Sequence, residues 1–109
     1  RLVLAFQPHR YSRTRDCFAD FVRVLGQADV VWLTDVYPAG EGPIAGADSA
    51  ALAQAAADRG TPVRHVPAVA DLPAQLATAL QARDVLITMG AGSIAGVPQG
   101  LKSLVGKAQ

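Results

Sequence analysis

The sequence predicts an α/β domain, because short apolar runs of strand length alternate with segments that have helical periodicity or a helix cap. Three such apolar runs and one shorter segment, residues 63–66, are predicted to form strands in the 109 residues. Parallel strands need long crossover connections, and helices usually provide them. We therefore expect one domain with a Rossmann-like, doubly wound and mostly parallel sheet and helices on both of its faces.

The first strand and helix are predicted from the start of the chain. Residues 2–6 form an uninterrupted apolar run, which is typical of a strand buried on both faces. The helix that follows can be capped by Ser12 or Thr14 and can end at Gly26. Its apolar stripe, spaced at i, i+3, i+4 and i+7, is formed by Phe18, Phe21, Val22 and Leu25.

The same alternation continues to the end of the chain. Asp48 and Asp71 are suitable N-caps for two further helices. The remaining strands are predicted over residues 30–34, 63–66 and 85–89. The remaining helices are predicted over residues 48–60, 71–80 and 98–105.

Composition excludes some classes of partner. The chain has 10 Lys and Arg against 9 Asp and Glu, a formal net charge of +1. Because so small a charge creates no field that draws a protein to nucleic acid or anionic lipid, we expect neither a nucleic-acid nor a membrane partner. No apolar run approaches the roughly 18 residues that span a bilayer. The single cysteine, Cys17, cannot form an internal disulfide, which fits a cytoplasmic protein.

A cluster of cations separates the first strand from the first helix. Arg10 and Arg13 are three residues apart at a predicted helix start, where the helix dipole opposes positive charge. We therefore expect them to bind an anion such as a carboxylate or phosphate, although they could instead be solvated or pair with nearby acids. His9 beside them could bind the same ligand or cap the sheet edge. Arg15 is interpreted as solvated or paired.

Two other loops follow strand ends and so belong to the same edge of the sheet. Asp35, Tyr37 and Glu41 lie in the long loop 35–46, where Asp35 could position a ligand or simply close the strand in an Asx-turn. The third loop contains Gly90, Ala91, Gly92 and Ser93.

The glycine loop formally matches the GxGxxG/A dinucleotide fingerprint, GAGSIA over residues 90–95. The match is weak, because it follows the last strand and no acidic residue comes after it. Its glycines do indicate that the backbone closely approaches a ligand or a neighbouring element, and Ser93 could donate a hydrogen bond to that ligand.

Taken together, the three loops resemble the C-terminal domain of the Mur ligases. The resemblance covers essentially the whole chain, and its first motif is specific. The residues that carry it are FQPHRYSRTR (6–15), DVY (35–37), AGE (39–41), PI (43–44), GADS (46–49) and GAGSI (90–94). Pro38 and Ala95 depart from the family pattern.

The resemblance implies an ATP-dependent ligase of peptidoglycan synthesis that joins L-alanine to UDP-N-acetylmuramate through an acyl phosphate. In that family an N-terminal domain holds the UDP-sugar, and a central domain carries the phosphate-binding loop and the Mg²⁺ ligands. The full-length enzyme would therefore need ATP and Mg²⁺, and this chain alone would bind neither of them.

The resemblance also implies that residues 1–109 are a C-terminal domain truncated at its N-terminal end. The family's opening Asp-Tyr-Gly-His-His-Pro motif does not occur in the sequence, and the first residue is Arg1 rather than Met. Such a fragment would work only with its own N-terminal and central domains, and alone we expect it to be inactive.

Carried over by position, Arg10 and Arg13 would face the substrates near the L-alanine carboxylate and the reacting acyl group, with His9 beside them. The glycine loop would line the amino-acid pocket through Gly90, Ala91, Gly92 and Ser93. No residue is assigned a catalytic role, and none a metal. The alternative hypothesis is a stand-alone Rossmann-like module that binds a nucleotide or an anion without catalysis.

Overall fold

The structure, a computed structural model, describes residues 1–90 and 92–108. Its centre is a four-stranded sheet in the order β3-β2-β1-β4, in which all neighbouring strands are parallel. The strands are β1 (Leu2–Gln7), β2 (Val30–Leu33), β3 (Val63–His65) and β4 (Val85–Gly90). This confirms the predicted parallel α/β sheet.

Helices connect the strands and cover the sheet. The α-helices are α1 (Tyr11–Asp16), α2 (Phe18–Leu25), α3 (Ser49–Asp58), α4 (Leu72–Ala79) and α5 (Val97–Ala108). Single 3₁₀ turns precede α4 and α5, at Val69–Asp71 and Ser93–Gly96. Over residues 1–90 and 92–108, no helix is long and apolar enough to cross a membrane.

Alternate side chains along the strands pack into two separate apolar cores, one on each face of the sheet. On one face Trp32 packs with Leu72 and Leu76 of α4. On the other face Leu33 packs with Leu25 of α2 and with α3. Burying a leucine contributes roughly 1.5 to 3 kcal/mol, so these two layers are what hold the helices against the sheet. Helices on both faces were predicted and are confirmed.

The edge strand β4 is less well covered than β1. Leu2–Gln7 is almost entirely buried, as expected for a strand enclosed on both faces. In β4, by contrast, three apolar side chains on one face are exposed, namely Val85, Ile87 and Met89. The central strand therefore provides the rigid frame from which the neighbouring loops are held.

The predicted first helix is wrong in two respects. It is divided at Cys17, whose backbone leaves the helical conformation, into α1 and α2. The apolar periodicity that predicts a helix begins only at Phe18, because α1 has no continuous apolar face and is held by polar contacts instead. Neither Ser12 nor Thr14 caps it: Arg10 occupies the N-cap position, with no side-chain cap.

The other helix ends are predicted with mixed success. Asp48 caps α3 as expected, since its carboxylate accepts the Ala51 N–H at 2.9 Å. Asp71 makes no such bond, because it is the last residue of a 3₁₀ turn that already leads into α4. The last helix is longer than predicted and begins at Val97.

Candidate functional site

The loops after β1 and β2 are joined into one unit at the carboxyl edge of the sheet. His9 and Tyr37 form an isolated parallel bridge, in which the Arg10 N–H donates to the Tyr37 carbonyl and the Tyr37 N–H donates to the Pro8 carbonyl, both at 2.8 Å. The rings of His9 and Tyr37 are stacked, with centroids 5.6 Å apart and planes 11° from parallel. The strand pairing thus continues past β1 and fixes where the arginine loop begins.

Arg10 is held in a backbone conformation that side chains other than glycine rarely adopt, with φ 68° and ψ 140°. Its carbonyl accepts two hydrogen bonds from Thr14, one from the N–H at 3.1 Å and one from the hydroxyl at 2.9 Å. Thr14 is completely buried. The strained residue is therefore fixed on both sides, by Tyr37 at its nitrogen and by Thr14 at its oxygen.

The side chains of Arg10 and Arg13 are exposed, and in the described part of the chain neither forms an ion pair. The nearby cations behave differently: Arg15 pairs with Asp16 at 3.0 Å, as predicted. Asp20 pairs with Arg23 on α2. Neither arginine therefore forms an ion pair with Asp16 or Asp20 in the described residues. After the hydrogen bonds from Ser12, however, the Arg10 charge also contributes to lowering the pKa of Glu41.

Two clefts share His9 and Arg13. One, of about 500 Å³, is lined by Arg10 and Ser12 as well and lies along α1. The other, of about 310 Å³, is lined also by Gly90 and by the rings of Phe6 and Phe21. Through this second cleft the structure brings the arginine loop and the glycine loop together, as their positions after neighbouring strands predict.

The glycine loop is fixed by Gln7, which the sequence analysis did not single out. Gln7 is buried, and its side-chain oxygen accepts the Ile94 N–H at 3.1 Å. Gly90 (φ 135°) lies so close that a Cβ there would clash with the Gln7 backbone oxygen. A Cβ on Gly92 (φ 110°) would lie 3.1 Å from the Tyr37 ring. The predicted close approach is thus to neighbouring protein groups, and Ala91 lies outside the described residues.

A third cleft, of about 570 Å³, opens on the other side of Gln7. Asp35, Tyr37 and Ser93 line it opposite an apolar wall formed by residues 67–70. The Asp35 carboxylate contacts His65 Nε2 at 2.8 Å, and both side chains are accessible. This contact with the end of β3 replaces the Asx-turn considered from the sequence. His65 was missed because nothing in its local sequence indicates a partner 30 residues away.

Glu41 lines none of these three clefts. One carboxylate oxygen accepts the Ser12 N–H at 3.0 Å and the other accepts the Ser12 hydroxyl at 2.6 Å. The Ser12 hydroxyl, and then its N–H, hold the pKa of Glu41 below the ordinary value of a glutamate. The loop 35–46 is therefore tied to the first turn of α1 by a carboxylate that stays ionised at neutral pH.

The described residues offer no metal centre: among residues 1–90 and 92–108 no three His, Cys, Asp or Glu side chains are grouped so that they could hold an ion. What the arrangement does offer is two accessible arginine side chains at adjoining clefts: Arg13 lines both of them, and Arg10 lines the one along α1. Such groups can bind a carboxylate or phosphate through forked, charge-assisted hydrogen bonds.

Comparison with known proteins identifies the family. The model of the Mur ligase glutamate ligase domain matches residues 1–92. The chain belongs to the Mur ligase family. Among its relatives, the UDP-N-acetylmuramate--L-alanine ligase of Acidovorax sp. (strain JS42) is 58% identical over 98% of this chain. The proteins of the same name from Verminephrobacter eiseniae (strain EF01-2) and Laribacter hongkongensis (strain HLHK9) are 61% identical over 90% and 57% identical over 97% of the chain.

This Mur ligase domain spans 23% of the length of the Acidovorax and Laribacter relatives and 21% of that of the Verminephrobacter relative. The family assignment expected from the three loop motifs is confirmed over most of the chain. The arginine loop and the glycine loop both lie within the matched residues 1–92, apart from the end of the glycine loop.

Proposed function

We propose that the full-length protein carrying this domain joins L-alanine to UDP-N-acetylmuramate in peptidoglycan synthesis, at the expense of ATP. Three relatives that bear this activity in their names are 57 to 61% identical to the chain. The observation that carries the proposal within the domain is the pair Arg10 and Arg13, which is exposed and forms no ion pair among the described residues. Cations kept unpaired at the ligand edge of a parallel sheet suit an anionic substrate.

In the proposed reaction, the γ-phosphoryl group of ATP is transferred to the muramyl carboxylate, which forms an acyl phosphate and releases ADP. The neutral amine of L-alanine then attacks the acyl carbon and a C–N bond forms. The nitrogen loses one proton to solvent, and phosphate leaves with the electrons of the broken C–O bond. Arg13, with His9 and Gly90, lines the 310 Å³ cleft, which is large enough for an amino acid. The two arginines anchor the L-alanine carboxylate and stabilise the negative charge that develops in the tetrahedral intermediate.

The rest of the machinery lies elsewhere in the protein. The chain has no GxxxxGK[ST] sequence, and its described residues have no metal centre. From the domain organisation that the Mur ligase family implies, we infer that ATP, Mg²⁺ and the UDP-sugar are held by the N-terminal and central domains, and that this domain supplies the wall of the amino-acid site. The single cysteine is compatible with a cytoplasmic location.

The test is alanine-dependent phosphate release by the full-length protein, given UDP-N-acetylmuramate, ATP and Mg²⁺. Arg13→Ala is expected to lower kcat/KM for L-alanine about 100-fold, because a donor aimed at developing charge is lost. Arg15→Ala is the matched control: it removes a cation from the same helix that already pairs with Asp16, and activity should stay within about twofold of wild type. Equal losses in both variants, or no alanine-dependent release by the unmodified protein, would contradict the proposal.

A further inference from the structure

Glu41 and Ser12 make the polar contact that links the long loop 35–46 to helix α1. The two residues are 29 positions apart, and both carboxylate oxygens of Glu41 are used in the contact. Glu41 is only half-buried, so water is available to it without this partner. A carboxylate that nevertheless accepts two bonds from one residue fixes the position of that residue's backbone.

The residue two positions before Ser12 is the strained Arg10. Conformations with positive φ outside glycine persist only where surrounding contacts over-determine them. At Arg10 those contacts act on its nitrogen, through Tyr37, and on its oxygen, through Thr14. Thr14 can hold the Arg10 carbonyl only while α1 keeps its place, and Ser12 lies in the first turn of that helix.

We propose that Glu41 is a positioning residue: by gripping Ser12 it holds the first turn of α1 in place and so keeps Arg10 in its strained conformation, with its guanidinium directed along the cleft that it shares with Arg13. Both Arg10 and Arg13 line that cleft together with Ser12. Tyr37, which binds the Arg10 N–H, belongs to the same loop as Glu41, so one loop controls both sides of Arg10. We call the Glu41–Ser12 contact the clamp. Its effect on the binding of L-alanine rests on the proposed function, whereas its effect on the structure of α1 does not.

The structural test is hydrogen exchange in the full-length protein, followed by mass spectrometry of the peptide that covers residues 9–17. Glu41→Ala is expected to speed exchange in this peptide about fivefold, as for the loss of a helix cap, and Glu41→Gln should restore most of the protection because its amide oxygen can still accept the Ser12 N–H. Asp48→Ala is the matched control, since it removes a carboxylate cap from α3 and should leave the same peptide unchanged.

A second comparison asks whether the clamp acts on the strain. In an Arg10→Gly background, glycine adopts φ 68° without cost, so Glu41→Ala should change the exchange of residues 9–17 by less than half as much as in the wild-type background. Unchanged exchange in Glu41→Ala, or the same change in both backgrounds, would overturn the clamp.

The kinetic readout separates positioning from simple loss of stability. Glu41→Ala should raise KM for L-alanine about tenfold and leave KM for ATP unchanged, with Glu41→Gln close to wild type, because misplaced arginines weaken only the group that they bind. If Arg13→Ala lowers activity but Glu41→Ala does not, the positioning role is wrong while the proposed function stands. If the unmodified protein releases no alanine-dependent phosphate, the proposed function is wrong, and the exchange data alone decide on the structural role of Glu41. If Arg10→Ala and Arg13→Ala are both fully active, the two arginines do not bind L-alanine, and the kinetic role of Glu41 is wrong with them.

Discussion

The two ends of strand β1 use their charges in opposite ways. At the amino end, Arg1 forms two hydrogen bonds to the Asp84 carboxylate, at 2.9 and 3.1 Å, and Asp29 accepts the Leu2 N–H at 2.7 Å. At the carboxyl end, Arg10 and Arg13 form no ion pair among the described residues. Both ends belong to the same buried strand, so the difference in charge pairing reflects a difference in role between the two ends.

Contacts at the amino end hold chain segments together, since they join β1 to the start of β4 and to the turn before β2. The carboxyl end combines unpaired cations with a strained Arg10 and two glycines of positive φ, none of which stabilises the domain by itself. Features that lower stability and converge on one edge are typical of functional sites. Changes at the carboxyl end should therefore alter ligand binding, with or without a loss of stability, whereas changes at the amino end should alter stability alone.

The largest effect is expected from Gly90→Ala. A Cβ there meets the Gln7 backbone oxygen, and φ 135° is strained for any residue but glycine, so the domain should lose about 3 kcal/mol or more of unfolding free energy. Gly96→Ala is the control, because a Cβ at Gly96 meets nothing within 4 Å. Urea unfolding curves of the two variants measure the difference. A Gly90→Ala variant as stable as Gly96→Ala would show that the carboxyl ends of β1 and β4 are not packed against each other as described.

The sequence predicted the parts of this edge that depend on local pattern. Arg10 and Arg13 were singled out by their spacing and charge, and Gly90 by its position after a strand. The contacts that fix these residues could not be predicted, because they join residues far apart: Gln7 to Ile94 and Ser12 to Glu41. Such pairs depend on the strand order and register, which periodicity alone does not determine. The strain at Arg10 was hidden for the same reason, as it is imposed by a strand pairing with Tyr37.

An intermediate effect is expected from Gln7→Met, which keeps a side chain of similar length but removes the acceptor of the Ile94 N–H. The loss of that hydrogen bond at a buried site should cost about 2 kcal/mol of unfolding free energy. Because the bond fixes the glycine loop, KM for L-alanine should rise in the full-length protein as well. Gln54→Met, at an exposed position on α3 where glutamine bonds only Asp58, is the control. Equal stabilities for the two variants would remove Gln7 from its role as the anchor of that loop.

The smallest effect at neutral pH, and the one that isolates the amino end, is expected from Asp84→Asn. The Arg1 side chain, and then the Gln81 N–H, hold the pKa of Asp84 far below its ordinary value of 3.8. A carboxylate whose pKa is lowered by folding stabilises the fold above its unfolded pKa and loses that contribution as the pH falls towards the folded one. The wild type should therefore be more stable than Asp84→Asn above about pH 4, and the gap should narrow steadily below it.

The measurement is urea unfolding of both proteins between about pH 7 and pH 2.5, together with alanine-dependent phosphate release at neutral pH, which should not change. Asp58→Asn is the control, because its carboxylate accepts a hydrogen bond from the uncharged Gln54 side chain on the surface of α3 and forms no ion pair among residues 1–90 and 92–108. A gap between wild type and Asp84→Asn that stays constant with pH would mean that Arg1 does not stabilise the ionised carboxylate. A loss of activity in Asp84→Asn would instead mean that contacts at the amino end of β1 affect the proposed substrate site at its carboxyl end. The conclusion that the amino end affects stability alone would then be wrong.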